Sequence, residues 1–337
     1  MACRPHRLGS VLLPVGSPEP EASRHLAPSE VTARLGRLFS SPAYRPPMLP
    51  TVALQVMELS RRADADFDSV LTVLERDPML AGRVLAISQS AMYAGRSRVT
   101  SLRQGLVRLG IKTLRNVVLE AALNMRVFRV PGYEPTMERL RRHSSYTAHL
   151  VGLVATHAKL DPETAFVCGL LHDVGMAAVL MAIGEESKGQ PPAIDELGVV
   201  LDSVHAQVSG ILCGVWSLPA EVKLTVSRHH MLRVGGQPDR MVAALMVAEQ
   251  LAYENDGGMV PVRWADAGAT EPLPPPPGGL DANPQAVVRE AREVLGLGDA
   301  RLDSLRNDAL ELMLRAVEAE PGPAATGGTA RRAQRTT

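Results

Sequence analysis

Cysteine is scarce in this 337-residue chain: Cys3, Cys168 and Cys213 are odd in number and show no CxxC spacing. That excludes a disulfide framework and a thiolate zinc site, and it fits a reducing cytosol. Aromatic residues are only 3% of the chain, which argues against recognition by stacking on many bases or sugars. An excess of one charge is missing too, since 36 Lys and Arg cancel 36 Asp and Glu. Duplex nucleic acid and anionic membranes are therefore not expected partners. No apolar run is expected to reach the ~18 residues of a membrane span. Val11–Val15, interrupted by Pro14, is too short for a secretory signal. These absences predict a cytoplasmic protein. What is present is 45% apolar residues, ample for a sizeable core in about two lobes at ~150 residues each.

Residues 1–28 mix Pro, Ser, Gly and charge without apolar periodicity and read as a disordered leader. Pro272–Gly279 cannot be helical, because proline lacks the amide donor and clashes with the preceding turn. It marks a Pro-rich linker over 266–283. Residues 320–337, ending with Arg331, Arg332 and Arg335, read as a disordered tail, with a nucleic-acid arm as the sharper alternative. The intervening chain reads helical. Asp77-Pro78 and Asp161-Pro162 each pair an acidic N-cap with proline at the first helical position. Leu80, Val84 and Ile87 share one helical face, as do Leu102, Leu106 and Leu109 behind Ser101, with Gly110 as the expected stop. Leu197, Leu201, Val204, Val208 and Ile211 form another stripe. Val127–Pro131 and Val260–Val262 are too short and interrupted for a sheet. The predicted class is all-α, with one lobe over 30–130, a second over 135–265, and C-terminal helices over 284–319.

The chemical signal lies in the histidines. Nine occur, and seven fall between positions 143 and 230. His143 lies in line with Leu140, Thr147, Leu150 and Val154, and His205 with Leu201, Val208 and Leu212. His172-Asp173 follows the apolar Leu170-Leu171, and His229-His230 ends the helix carrying Val222 and Val226. Glu249 sits on the stripe of Val242, Leu245 and Ala252. One inward histidine is ordinarily a hydrogen-bonded core residue. Four helices each aiming one inward should have them converge on each other, on water or on a metal. Imidazole and carboxylate without sulfur suit one or two divalent ions of Mn, Fe or Zn. Two such ions can activate water and neutralise phosphate charge. His149 points about 120° away from the His143 face at ~100° per residue, so it and His157 are expected to be structural or surface residues.

These pieces together resemble the HDOD family, output-type relatives of the HD-GYP phosphodiesterases within the HD superfamily. In the first half the resemblance rests on Leu49-Pro50, Asp77-Pro78-Met79-Leu80, Leu85-Ala86-Ile87-Ser88-Gln89-Ser90-Ala91, Ser101-Leu102 and Leu109-Gly110. In the second it rests on His143-Ser144, Ala165-Phe166, Gly169-Leu170-Leu171-His172-Asp173-Val174-Gly175, His205-Ala206-Gln207-Val208-Ser209-Gly210, Trp216-Ser217-Leu218-Pro219 and His229-His230. It implies a two-lobed helical HDOD fold whose second lobe is HD-like. It implies His143, His172 and Asp173 as HD metal ligands, His205, His229 and His230 as the additional HD-GYP set, and Glu249 in place of the superfamily's last aspartate. Gln89 stands where asparagine is usual. Met176 stands where HD-GYP enzymes carry lysine, and Gly236-Gln237-Pro238 replaces the Gly-Tyr-Pro signature.

The resemblance therefore implies a bacterial signal-transduction module acting through protein or ligand binding, without robust catalysis. Its expected partner is a signalling protein of a two-component or cyclic-dinucleotide pathway, met through the groove shared by the lobes. The short leader is expected to leave no room for a fused receiver or cyclase. The alternative is a metal-dependent HD-type phosphohydrolase or cyclic-dinucleotide phosphodiesterase, with Asp173 as the catalytic residue. A metal-free scaffold of mutually hydrogen-bonded histidines is the third reading.

Overall fold

The computed structural model describes residues 28–39, 41, 44–62, 64–93, 99–187, 191–255 and 284–318. The leader up to residue 27, the 266–283 linker, Val260–Val262 and the 320–337 tail lie outside the described residues. Among the described residues the chain is all-α apart from one small hairpin. Before residue 130 come α1 (Pro28–Phe39), α2 (Thr51–Leu59), α3 (Phe67–Leu74), α4 (Pro78–Ser88) and α5 (Leu102–Arg126). After it come α6 (Glu134–His157), α7 (Pro162–Leu171), α8 (Val174–Glu186), α9 (Ile194–Val215), on which α1 packs, α10 (Ala220–Ser227) and α11 (Arg240–Asn255). Then come α12 (Pro284–Leu295) and α13 (Asp299–Glu318).

The helix starts follow from local chemistry. Asp66, Asp77 and Asp161 accept from the amides of Ser69, Leu80 and Thr164 at 2.8, 3.0 and 2.9 Å. Ser101 does the same for Gln104 at 3.2 Å. Each side chain satisfies an amide that the first helical turn would leave without a partner. Gly110 departs from expectation. It adopts φ +72°, ψ 160°, but helix resumes at once and continues to Arg126. The expected stop is a kink, because Leu114, Val117, Val118 and Leu119 beyond it find buried places in the core. The small sheet was not foreseen either. β1 (Arg233–Val234) pairs antiparallel with β2 (Gln237–Pro238), and Gly235 and Gly236, both at positive φ, make the two-residue turn.

α6 runs between two apolar cores. Met137, Leu140 and Ala148 join a core that extends from Leu35 of α1 to Val226 of α10. Tyr146, Leu150 and Val154 join a second core made with α11, α12 and α13. There Tyr146 Oη donates to the Ala309 carbonyl at 3.1 Å. Two helical stretches correct the expectation about apolar length. Pro162–Glu185 and Glu196–Val215 reach mean hydropathies of 2.0 and 1.4 over membrane-spanning windows. Those windows are 94% and 56% buried within the protein. The first also carries His172 and Asp173 in its middle, and the helix breaks there between α7 and α8.

Candidate metal centre

Gly169 is the local reason that His143 and His172 meet. A Cβ there would stand 2.8 Å from Ala148 Cα and 3.0 Å from the Thr147 carbonyl oxygen. With only hydrogen in that place, α7 lies hard against α6, and His172 falls opposite His143 with their Nε2 atoms 3.2 Å apart. The Asp173 carboxylate lies at the centre. Its Oδ2 is 3.3 Å from His172 Nε2 and 3.7 Å from His143 Nε2. Its Oδ1 is 3.4 Å from His205 Nε2 and 3.5 Å from His229 Nε2. Glu249 Oε1 approaches His172 Nε2 at 3.3 Å, and His230 Nε2 approaches His205 Nε2 at 2.9 Å. All seven residues expected from the sequence converge. They form two ligand groups, His143–His172–Glu249 and His205–His229–His230, and Asp173 spans the gap between them.

The backbone decides which ring nitrogens face inward. His172 Nδ1 lies 2.7 Å from the Gly169 carbonyl, His205 Nδ1 2.8 Å from Leu201, and His229 Nδ1 2.8 Å from Val226. A carbonyl only accepts, so each Nδ1 carries a proton and each Nε2 is the ring nitrogen turned toward the centre. His143 Nδ1 has Thr147 Oγ1 at 3.4 Å. Ring nitrogens therefore face one another and carboxylate oxygens in a buried space, and this requires a proton or a cation between them.

The electrostatics agree. Burial disfavours charge on His172, but Asp173 and Glu249 outweigh it and hold that imidazole well above its ordinary range. Burial works against the Asp173 carboxylate too, yet His172, His229 and His205 hold it well below. Glu249 is likewise drawn down to about 2 against burial, by His172 first and then His229 and His230. Burial pushes His205 down and His230 to about 3. Two carboxylates and five imidazoles form a donor set of nitrogen and oxygen atoms. A divalent ion binding N and O at about 2.1 Å would set neighbouring ligand atoms roughly 3.0–3.4 Å apart. The 2.9–3.5 Å spacings among most of these atoms fit that requirement.

The same order of residues is matched by the HDOD domain model over residues 47–232, more than half the chain. The chain belongs to the HDOD family. A solved HDOD domain protein of unknown function from Geobacter sulfurreducens superposes with a TM-score of 0.54 at 21% identity, covering 84% of this chain and 99% of that one. A candidate metal-dependent phosphohydrolase from Shewanella amazonensis gives 0.55 at 18%, covering 80% and 98%. A candidate signal transduction protein from Marinobacter aquaeolei gives 0.56 at 22%, covering 89% and 67%. These likenesses concern the fold. An uncharacterized protein of Treponema pallidum is 24% identical over 197 residues, 55% of this chain. This chain spans only 38% of that relative's length.

Within this HDOD chain the two remaining histidines between positions 143 and 230 stand apart from the centre. His149 packs between the rings of Tyr93 and Phe166, at centroid distances of 5.7 and 5.0 Å. His157 Nε2 lies 3.6 Å from Asp308 Oδ2 of α13. Met176 is 6% exposed and belongs to the apolar core. Sequence reasoning missed the carbonyls that orient the histidines, and it missed Ser209. That serine lies four residues after His205, hence on the same helical face, and this spacing was the available signal.

Proposed function

We propose that this HDOD protein is a bacterial regulatory module that holds divalent metal and signals by binding, without robust catalysis. The observation that carries this reading is the contrast between a complete donor set and the buried apolar Met176 three residues after Asp173. His143, His172, Glu249 and Asp173 Oδ2 would hold one ion, and His205, His229, His230 and Asp173 Oδ1 the other. Mn, Fe or Zn suits this donor set, and such ions, when bound, supply activation of water and neutralisation of phosphate charge. Methionine in the position of a lysine leaves that part of the site without a cation to hold a phosphate. In the folded protein the centre would instead tie together α6, α9, α11, the α7–α8 junction and the end of α10.

The groove between the lobes supports the binding role. A cavity of about 310 Å³ lies there, floored by Leu54, Met57, Val167, Trp216 and Leu218. Its Arg61 is paired with Glu58, and its Arg115 lies 3.9 Å from Glu163. With that apolar floor, the groove suits an apolar side chain of a signalling protein.

The alternative phosphohydrolase reading is favoured by the same full set of histidines. Metal-loaded protein incubated with cyclic dinucleotides and bis-p-nitrophenyl phosphate separates the two. The regulatory reading predicts no turnover above the metal-only control. Turnover that disappears in Asp173→Ala would replace it with the phosphohydrolase.

A further inference from the structure

Asp173 occupies the N-cap of α8 and makes no side-chain capping bond. The aspartates at the N-caps of α3, α4 and α7 all do. The missing bond is supplied from another helix. The Gly175 amide, in the first turn of α8, donates to Ser209 Oγ of α9 at 2.7 Å. Ser209 is fully buried. At Gly175 the two helices also leave no room for a side chain. A Cβ there would run into the His205 carbonyl oxygen and stand 2.7 Å from the Ser209 nitrogen.

We propose that Ser209 is a positioning residue for the metal centre: by satisfying the Gly175 amide, it leaves the Asp173 carboxylate free to face both histidine groups. This inference rests on the metal reading above, and it adds a residue that touches none of the ligand atoms named there. The physical argument is competition for one carboxylate. An aspartate at an N-cap ordinarily turns back to accept from the second or third amide of its own helix. A buried amide left without a partner is costly. Asp173 stands at ψ 7°, whereas the capping aspartates are extended at ψ 91–151°. Without the Ser209 hydroxyl, Asp173 can satisfy the Gly175 amide by moving to that extended capping conformation. Turning to meet that amide would take its oxygens away from His172 on one side and His205 on the other. The two histidine groups would then lose the anion they share.

The test uses the full-length protein with Ser209→Ala and Ser209→Thr, the latter retaining the hydroxyl. Crystal structures without metal read the Asp173 rotamer directly. Titration with Mn²⁺ reads affinity, and electron paramagnetic resonance reads exchange coupling between paired ions. In Ser209→Ala, Asp173 is expected to rotate onto the α8 amides. The second Mn²⁺ equivalent should bind about 10- to 100-fold more weakly, the range for loss of an orienting outer partner, and the coupled signal should fade. Ser209→Thr should restore all three readouts. An unmoved Asp173 in Ser209→Ala overturns the proposal, whatever happens to affinity, because the effect would then be packing alone. A wild type that binds no Mn²⁺ defeats the metal reading instead, and the Asp173 rotamer still decides the part played by Ser209.

Discussion

A histidine's role in this protein is decided by what its second ring nitrogen and its ring faces touch. His172, His205 and His229 each commit Nδ1 to a helix carbonyl and present Nε2 to the centre. His149 has no such carboxylate neighbour. Aromatic rings enclose it, and burial holds its pKa at about 4 against an ordinary 6.5. The unfolded chain therefore takes up this proton before the folded one does. The stability it contributes is full above about pH 6.5 and is lost as pH falls toward 4. Discounted for the partial exposure of the ring, the contribution is roughly 2 kcal/mol. His149→Phe keeps the aromatic packing and is expected to flatten the stability profile between pH 6.5 and 4 by that amount. Denaturant melts at half-unit pH intervals measure it, and parallel wild-type and variant profiles would contradict it. The inward histidines were legible because residues three and four apart share a helical face. Their tautomers and the trans-cap by Ser209 were not, since both depend on distances between groups that the sequence pattern leaves open.

Between elements, legibility follows how local the cause is. The starts at Asp77-Pro78 and Asp161-Pro162 could be read from neighbouring residues, because a cap acts within one turn. The kink at Gly110 could not, because the residues beyond it are held helical by the tertiary core. The Arg233–Pro238 hairpin is too short to show alternation, and its Gly235-Gly236 turn is the sole local sign. The close contact of α6 on α7 depends on Gly169. Gly169→Ala would place its methyl 2.5 Å from Val151 Cγ1 and 2.8 Å from Ala148 Cα, and helix backbone yields less readily than a side chain. The expected cost is about 1–3 kcal/mol, as for other overpacked cores. A lower denaturant midpoint with an unchanged m-value checks it. Because His172 follows Gly169 by three residues, the same variant should also weaken metal binding, whereas an unaltered midpoint would mean that the helices separate at little cost.

At the scale of the whole molecule, helices far apart in the chain meet around a few shared residues. Trp216 Nε1 donates to the Pro47 carbonyl at 2.9 Å, which fastens the α9–α10 corner to the chain entering α2. α6 carries His143 between the two apolar cores. The centre thus joins segments far apart in the chain, from His143 to Glu249, at a place where two buried carboxylates need a proton or a cation beside them. Both the metal-holding regulatory reading and the phosphohydrolase alternative turn on metal. The most direct measurement is elemental mass spectrometry of the tag-free protein after loading and desalting, beside a His172→Ala/Asp173→Ala double variant. The account predicts about two equivalents of Mn, Fe or Zn in the wild type and loss of that metal in the variant. A wild type that retains no metal, or a variant that retains as much, would contradict it and leave a scaffold of hydrogen-bonded histidines.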